Sequence, residues 1–217
     1  MARGLPVQSE FMLVHVVDDD DGIRRSLAVL LRSYGYVVQT HAAGPGFLEW
    51  LTRFAVPTET MTMTCVLLDL RMPGMDGLEV QQVMLRRGVR LPVVAMSGAV
   101  DVGLAVRVMK AGAIDVIEKP YSEETLLRAI TAAMARSADP SPHGISREAA
   151  LAKLATLTAR ERDVLGSIVR GQPNKVIAHG LGISPRTVEI HRSNMMVKLE
   201  CRSIAEVVKL GIQAGLV

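Results

Sequence analysis

The stretch TCVLLDLRMPGMDGLEV, residues 64–80, determines how the first half of the chain can fold. It opens with an almost unbroken apolar run that ends at Asp69, then turns into helical spacing at Leu78 and Val80. Such a run is typical of a strand buried on both faces of a parallel sheet. Open α/β sheets bind ligands at the carboxyl ends of their strands. Asp69 is therefore a candidate functional residue.

Similar apolar runs lie on both sides of this stretch and alternate with segments of helical spacing. They are FMLVHVV (11–17), YVVQTHA (36–42), LPVVAMSG (91–98) and AIDVIEK (113–119). A helix is expected to follow the last run, with Ser122 as its N-cap and two glutamates in its first turn. Alternating strands and helices predict an α/β domain with a five-stranded parallel sheet covered on both faces. In the order 2-1-3-4-5, the first and third strands would be neighbours.

The alternation ends near Met134, and the remaining sequence has a different character. Residues 136–147, RSADPSPHGISR, are rich in Pro and Ser and are interpreted as part of a linker. From Leu154 onward only helical periodicity is present, with a turn at Gly182. Four short helices with this turn indicate an all-α helix-turn-helix domain. The predicted division is 1–135 for the α/β domain, 136–153 for the linker and 154–217 for the helical domain.

Composition and charge narrow the function classes. The 217 residues suffice for two small domains, and no apolar run approaches the ~20 residues of a membrane span. The first residues, MARGLPVQSE, lack the apolar core of a signal peptide, so a cytoplasmic location without membrane contact is expected. Cys65 and Cys201 are read as reduced thiols. Residues 1–135 carry 13 Lys+Arg against 15 Asp+Glu, and residues 136–217 carry 12 against 7, which favours a polyanionic partner for the second half.

Polar residues end four of the predicted strands: Asp18 and Asp19, Asp69, Ser97, and Lys119. Clustered carboxylates repel one another unless a cation lies among them, and hard oxygen ligands suit Mg²⁺ (or Mn²⁺). An Asp carboxylate can attack phosphorus to give an aspartyl phosphate, and a Lys ammonium can stabilise the phosphoryl oxygens. Each residue alone is more often a loop or turn residue. Their joint occurrence at the ends of separate strands favours a phosphoacceptor pocket.

The motifs VVDDDDGIRRSL, LLDLRMPGMDGLEV, VVAMSG and AVRVMKAGAIDVIEKPY resemble the receiver domain of response regulators, especially the FixJ branch. The resemblance covers roughly residues 11–134 and implies a flavodoxin-like fold. By position it makes Asp69 the phosphoacceptor. The other implied roles are metal ligands at Asp18, Asp19, Asp69 and the Arg71 backbone carbonyl, a switch hydroxyl at Ser97, a phosphate contact at Lys119, and a cis peptide bond between Lys119 and Pro120.

Two positions depart from the receiver pattern. The family usually has Phe or Tyr three residues before the lysine, and this chain has Val116. After Ser97, close relatives read GHGD, whereas this chain has GAVD at 98–101. Phosphoacceptor chemistry is compatible with both changes. The aromatic part of the switch is missing or replaced.

The second half resembles the LuxR/NarL-type helix-turn-helix over roughly residues 154–217, through LTARERDVL and NKVIAHGLGISPRTVEIHRSNMMVKL. Ser184 and Pro185 suit the start of a recognition helix. Its inward face should include Val188 and Leu199. The candidate base contacts are Glu189, Arg192 and Ser193, with Arg186 nearby. Lys175, Thr187 and Lys198 are candidates for contacts to the DNA backbone or for helix packing. A four-helix protein-interaction module with solvated cations is the alternative for this half.

Together the resemblances imply a transcription factor controlled by phosphorylation of Asp69 from a sensor histidine kinase. Its partner would be double-stranded DNA. Phosphorylation is expected to release the basic domain and to favour a homodimer through region 101–119. An enzyme, such as an aspartyl-phosphate phosphatase, would need a second Asp two residues after the nucleophile, where this chain has Arg71. A receiver that no longer switches, joined to a constitutive DNA-binding domain, is the remaining alternative.

Overall fold

A parallel five-stranded sheet organises the first half of the protein. The computed structural model describes residues 12–53, 63–138 and 146–216. The sheet contains the strands β1 (Met12–Val17), β2 (Val37–His41), β3 (Met63–Asp69), β4 (Val93–Ser97) and β5 (Asp115–Glu118). Their order is β2-β1-β3-β4-β5, with every pair parallel. The expected strand order is confirmed, and the candidate residues lie at one edge of the sheet.

Helices cover both faces of this sheet because each strand alternates its apolar side chains between the two. The helices are α1 (Asp21–Ser33), α2 (Gly44–Arg53), α3 (Gly77–Arg86), α4 (Val102–Lys110) and α5 (Glu123–Ala138). Val14 and Val16 pack with α1 and α5 on one face, while Val17 and Val66 pack with α2 and α3 on the other. Ser122 accepts a hydrogen bond from the Thr125 amide at the start of α5, as expected for its N-cap.

The second half is entirely helical in the part that the structure describes. Its helices are α6 (Arg147–Ala155), α7 (Ala159–Val169), α8 (Asn174–Leu181), α9 (Pro185–Leu199) and α10 (Ile204–Gln213). The last four confirm the predicted four-helix domain, and Gly182 ends α8 in the left-handed conformation (φ 65°) that glycine adopts without strain. None of the described helices is both long and apolar enough to span a membrane.

Part of the predicted linker at 136–153 is helical. Helix α5 continues to Ala138, and α6 begins at Arg147. The Ser146 side chain caps α6 by accepting from the Ala149 amide, and Ala150 and Leu154 bury one face of the helix. Residues 139–145 of the predicted linker lie outside the described residues. The domain division itself stays a prediction.

One apolar core crosses from the α/β half into the helical half. It includes Val106 and Met109 of α4, Val116 of β5, and Leu165 and Val169 of α7, together with buried residues of α10. Helix α10 lies against α4 and β5, and α7 lies against α4. The helical half is therefore docked on the edge of the sheet that carries β5.

Candidate functional site

Two buried carboxylates share one ammonium at the carboxyl edge of the sheet. Asp18 follows β1 and Asp69 ends β3, and these strands are neighbours, so the two side chains converge. Asp18 is 1% exposed and Asp69 is 5% exposed. Lys119, which follows β5, donates from Nζ to Asp18 Oδ2 at 2.7 Å and to Asp69 Oδ1 at 2.6 Å. Three residues that the sequence places on separate strands thus form one ionic cluster.

The remaining carboxylate oxygens of this cluster accept backbone hydrogen bonds. The amide of Asp20 donates to Asp18 Oδ1 at 2.9 Å, and the amide of Arg71 donates to Asp69 Oδ2 at 2.8 Å. Burial acts to lower the pKa of Lys119, but its hydrogen bonds to the two carboxylates outweigh this, and the pKa lies above its usual value. The lysine is therefore firmly cationic. Its peptide bond to Pro120 is cis, the geometry that the resemblance implies.

The donor set at this edge consists of oxygens, but its carboxylates are not arranged as a closed metal cage. Asp19 is exposed beside the buried Asp18. Among the described residues, no group of three or more His, Cys, Asp or Glu side chains is close enough to hold a metal ion. Two buried carboxylates against one ammonium leave an excess negative charge, and Asp19 adds another at the rim. Hard oxygen donors and this excess charge fit a Mg²⁺ ion that keeps several waters.

Ser97 on β4 and Val116 on β5 are buried, and each connects to parts of the protein outside the ionic cluster. Ser97 ends β4, is fully buried, and donates from Oγ to the Ala99 carbonyl at 3.0 Å. The segment that follows leads to Asp101, whose side chain caps α4. Val116 is 4% exposed and pairs with Ala95 in the sheet, within the core that reaches the helical half. The hydroxyl and α4 are thus joined by four residues of chain.

A second candidate site lies on α9, the predicted recognition helix. Ser184 caps it by accepting from the Thr187 amide, and Pro185 occupies its first turn. Val188, Met195 and Leu199 are buried against α7 and α8, as the inward face requires. The opposite side presents Arg186, Glu189 and Ser193 to solvent, and Lys175 of α8 is exposed as well. This surface faces away from the domain's own core.

Three of the predicted DNA contacts have partners within the domain. Lys198 Nζ binds both oxygens of the buried Glu161, at 2.9 and 2.8 Å. Arg192 is half-buried and donates to Asn174 Oδ1 at 2.9 Å, and the Thr187 hydroxyl pairs with that of Ser184. No local pattern identifies the partner of Lys198, because Glu161 is 37 residues away on α7.

Sequence reasoning missed one exposed residue on the same face of α9. Ile190 follows Glu189 and is 52% exposed, although isoleucine is normally buried. An apolar side chain on a groove-reading surface can contact the methyl group of thymine. The signal was available, because Ile190 does not fit the spacing of Val188, Met195 and Leu199.

We expect Lys198→Met to affect stability rather than DNA binding, because its ammonium neutralises the buried Glu161 carboxylate. The thermal midpoint of the helical domain should fall by roughly 5 °C. The salt dependence of binding to a mixed-sequence duplex should stay unchanged. The matched variant Lys175→Met should instead reduce the slope of log K against log salt by about 1. A reduced slope in Lys198→Met would contradict this assignment.

The contact between the two halves includes polar bonds and a close backbone approach. Lys209 of α10 donates to the Ile114 carbonyl at 3.2 Å, and Arg128 of α5 lies 3.9 Å from Glu206 of α10. At the other end of the contact, a Cβ on Gly103 of α4 would lie 3.6 Å from the Gly171 carbonyl oxygen. Helix α4 and the turn between α7 and α8 are therefore within van der Waals distance of each other at these two positions. The expected release of the basic domain implies a contact between the halves, but no sequence pattern identified these individual contacts.

A buried pair of histidines lies behind the pocket on the α2 side of the sheet. His15 of β1 and His41 of β2 share a 3.1 Å hydrogen bond between Nδ1 and Nε2, and Phe47 and Trp50 pack on their rings. The Nε2 atom of His15 has no partner among the described residues. Burial lowers the pKa of His15 to about 3 and that of His41 to about 4. Sequence analysis missed this pair, which forms only when β1 and β2 align.

The pair predicts acid sensitivity. Because the folded state holds both imidazoles neutral while the unfolded chain protonates them below about pH 6.5, stability falls as the pH drops from there toward 4. At pH 5 the loss should be on the order of 2 kcal/mol for His15, and His41 should contribute in the same direction. Urea unfolding followed by Trp50, the single tryptophan, measures it. The double variant His15→Leu/His41→Leu should flatten this dependence, and exposed His179→Gln should not; equal pH profiles would contradict the prediction.

The fold and the two sites define a class: a phosphoacceptor-type α/β domain carrying a helix-turn-helix. Comparison with known families agrees, since residues 14–131 match the response regulator receiver domain and residues 155–210 match the bacterial regulatory proteins of the luxR family. The chain therefore belongs to the response regulators with a LuxR-type DNA-binding domain. It is a DNA-binding transcription factor controlled by phosphorylation.

Relatives of this architecture extend over nearly the whole chain. The transcriptional regulatory protein FixJ of Azorhizobium caulinodans is 42% identical over 95% of this chain and 94% of its own length. Full-length FixJ from B. japonicum is 35% identical over 96% of this chain and 100% of that structure, with a TM-score of 0.55. The response regulator StyR is 38% identical over 94% and 99%, with a TM-score of 0.53. The resemblance to the FixJ branch is confirmed.

Proposed function

We propose that Asp69 accepts a phosphoryl group from a sensor histidine kinase and that the acidic edge of the sheet binds Mg²⁺ for this transfer. The observation that carries the proposal is the Lys119 ammonium held between the buried Asp18 and Asp69 carboxylates. The Asp18, Asp19 and Asp69 carboxylates and the Arg71 carbonyl would hold the ion. When bound, the ion neutralises phosphoryl oxygens and orients the donor group.

The chain's own residues supply the rest of the transfer. A carboxylate oxygen of Asp69 attacks phosphorus, and the bond from phosphorus to the donor breaks with the donor keeping the electron pair. In the structure the Lys119 ammonium donates to the Asp18 and Asp69 carboxylates. After the transfer it would pair with a phosphoryl oxygen on Asp69. Ser97 can donate its hydroxyl to a second oxygen only by leaving the Ala99 carbonyl. This exchange pulls on the segment that leads to the cap of α4.

Release of the helical domain follows from that movement. Helix α4 and β5 are covered by α10 in the structure, so the surface at 101–119 is unavailable to a second copy of the chain. A dimer through this region therefore requires the helical half to undock. Val116 leaves β5 without the aromatic side chain that relatives use, so the proposed route runs through the Ser97–Asp101 segment. Undocked domains in a dimer would read two DNA half-sites.

Base reading would fall to Arg186, Glu189, Ile190 and Ser193, and a phosphate contact to Lys175. A cytoplasmic location suits this role. The receiver would promote its own phosphorylation and dephosphorylation, without steady turnover of small phosphomonoesters. Steady turnover would favour the phosphatase alternative.

We expect Asp69→Asn to lose all phosphate incorporation from a small phosphodonor with Mg²⁺, because an amide is not a nucleophile toward phosphorus. In the native chain, the same treatment should raise the mass in solution to that of a dimer and strengthen DNA binding. Asp76→Asn, which alters an exposed cap of α3, serves as a control and should still be phosphorylated. Incorporation that persists in Asp69→Asn would overturn the assignment.

A further inference from the structure

A cavity of about 700 Å³ lies between the two halves, at the C-terminal end of α4. Its receiver wall comes from the end of α4, the loop between α4 and β5, and one side of α5. Its other wall comes from α6, the end of α9 and α10. Pockets that bind small organic molecules have volumes of about 300–1,000 Å³. The volume is therefore sufficient for a ligand of a dozen or more heavy atoms.

The cavity has an apolar floor and a cationic rim. Met109, Leu199 and Leu210 line the floor and are buried. The rim carries three cations, Arg136, Lys153 and Lys209, and two carboxylates. An apolar floor with a few polar groups at one side is the pattern of an amphipathic ligand site.

The three rim cations outnumber the two rim carboxylates, so the rim has a net positive charge. Glu200 pairs with Lys153 at 3.3 Å, and Glu206 lies 3.9 Å from Arg128 and accepts from the Arg202 amide at 2.6 Å. Within the described ranges, the Arg136 guanidinium has neither an ion pair nor a hydrogen bond. A guanidinium binds a carboxylate through two parallel hydrogen bonds.

We propose that this interdomain cavity binds an organic monocarboxylate with an apolar body, with the carboxylate on Arg136 and the apolar part on the floor. Because both halves supply the walls, the site is complete only in the docked arrangement. A ligand that binds one arrangement shifts the equilibrium toward it. The ligand would oppose undocking, and this consequence alone rests on the proposed release by phosphorylation.

The test uses 4-phenylbutyrate as the probe on the full chain, with 4-phenylbutylamine as its cationic counterpart. Calorimetric titration should show one site, with the carboxylate binding at least about tenfold more tightly than the amine. Arg136→Glu should weaken the carboxylate at least about tenfold, whereas Arg86→Glu on α3 should not change it. Ala132→Trp should fill the cavity and abolish binding, and Ala155→Trp, an exposed alanine outside it, should leave binding intact.

The outcomes separate the site from its regulatory effect. No saturable binding, equal affinity for the amine, or binding that survives Ala132→Trp would each overturn the site. Where binding holds, saturating 4-phenylbutyrate should raise the phosphodonor concentration needed for the change in mass in solution. If phosphorylation never changes that mass, the proposed release fails while the titration results still stand.

Discussion

Lys119→Met should make the metal-free protein markedly less stable and abolish its response to phosphorylation. The substitution keeps the length of the side chain but removes the ammonium that lies 2.7 Å from Asp18 and 2.6 Å from Asp69. Removing one partner of a buried ion pair typically lowers the free energy of unfolding by about 3–5 kcal/mol. Here two buried carboxylates would face each other without compensation.

Two additions make this prediction specific to charge. Millimolar Mg²⁺ should restore much of the lost stability, because a cation again lies among the carboxylates. Adding Asp69→Asn to the Lys119→Met background should also restore stability, so the double variant should be more stable than the sum of the single changes implies. Urea unfolding followed by Trp50 fluorescence, with and without Mg²⁺, measures each term. Lys110→Met, at the exposed end of α4, is the control.

The outcome also bears on phosphate signalling. Lys119 is the only fixed cation that the structure places on Asp69 among the described residues, so a phosphoryl group there would lack its protein counter-charge in the variant. The DNA-binding half should stay docked even where Asp69 is phosphorylated. Unchanged stability in Lys119→Met would show that another group neutralises the two carboxylates. Lys119 would then not be the counter-charge of the phosphoacceptor pocket.

The sheet and the pocket were predictable because their signals are local. Each of Asp18, Asp69 and Lys119 directly follows or ends an apolar strand, and parallel strands bring their carboxyl ends to one edge. The strand order then fixes which side chains meet. The helices of the second half were similarly visible from spacing and caps, except α6, whose Ser146 cap was hidden beside the Pro-rich residues that precede it.

What the sequence did not reveal depends on partners far along the chain. The sequence left DNA-backbone contact and helix packing open for Lys198, and only the fold shows that Glu161 binds it. The His15–His41 pair arises from strand register, because the two histidines are 26 positions apart in the chain. The docking of α10 on α4 joins two surfaces that each read as an ordinary amphipathic helix. A charged residue can therefore be assigned a structural or a functional role only when its partners far along the chain are known.

Gly103→Trp should undock the helical half without any phosphate. A Cβ at position 103 would already lie 3.6 Å from the Gly171 carbonyl oxygen and 3.3 Å from Asp101 Oδ1. Alanine can be accommodated there, but an indole cannot occupy the space between α4 and the turn that carries Gly171. Gly171 lies in that turn with a φ of 78°, a left-handed conformation that glycine adopts without strain.

The measurements are small-angle scattering and affinity for a DNA duplex, each without phosphodonor. Gly103→Trp should enlarge the radius of gyration and bind DNA at least about tenfold more tightly than the native chain, as expected when a mostly docked population is released. Gly103→Ala should remain docked. Gly46→Trp places the same residue on α2, where a Cβ meets nothing within 4 Å, and should behave as the native chain does.

The same variant separates a switching receiver from a non-switching one, because it measures docking independently of phosphate. If Gly103→Trp and phosphodonor each strengthen DNA binding to a similar level, docking restrains the domain and phosphate relieves it. If only Gly103→Trp does so, the receiver restrains its partner but Val116 has uncoupled it from Asp69. If neither changes affinity, docking at α4 leaves α9 free to bind DNA, and the proposed inhibition is wrong. The DNA-reading side of α9 is exposed in the docked arrangement, and it is α10 that contacts α4. The DNA affinity of Gly103→Trp therefore decides whether docking of α10 restrains DNA binding by α9.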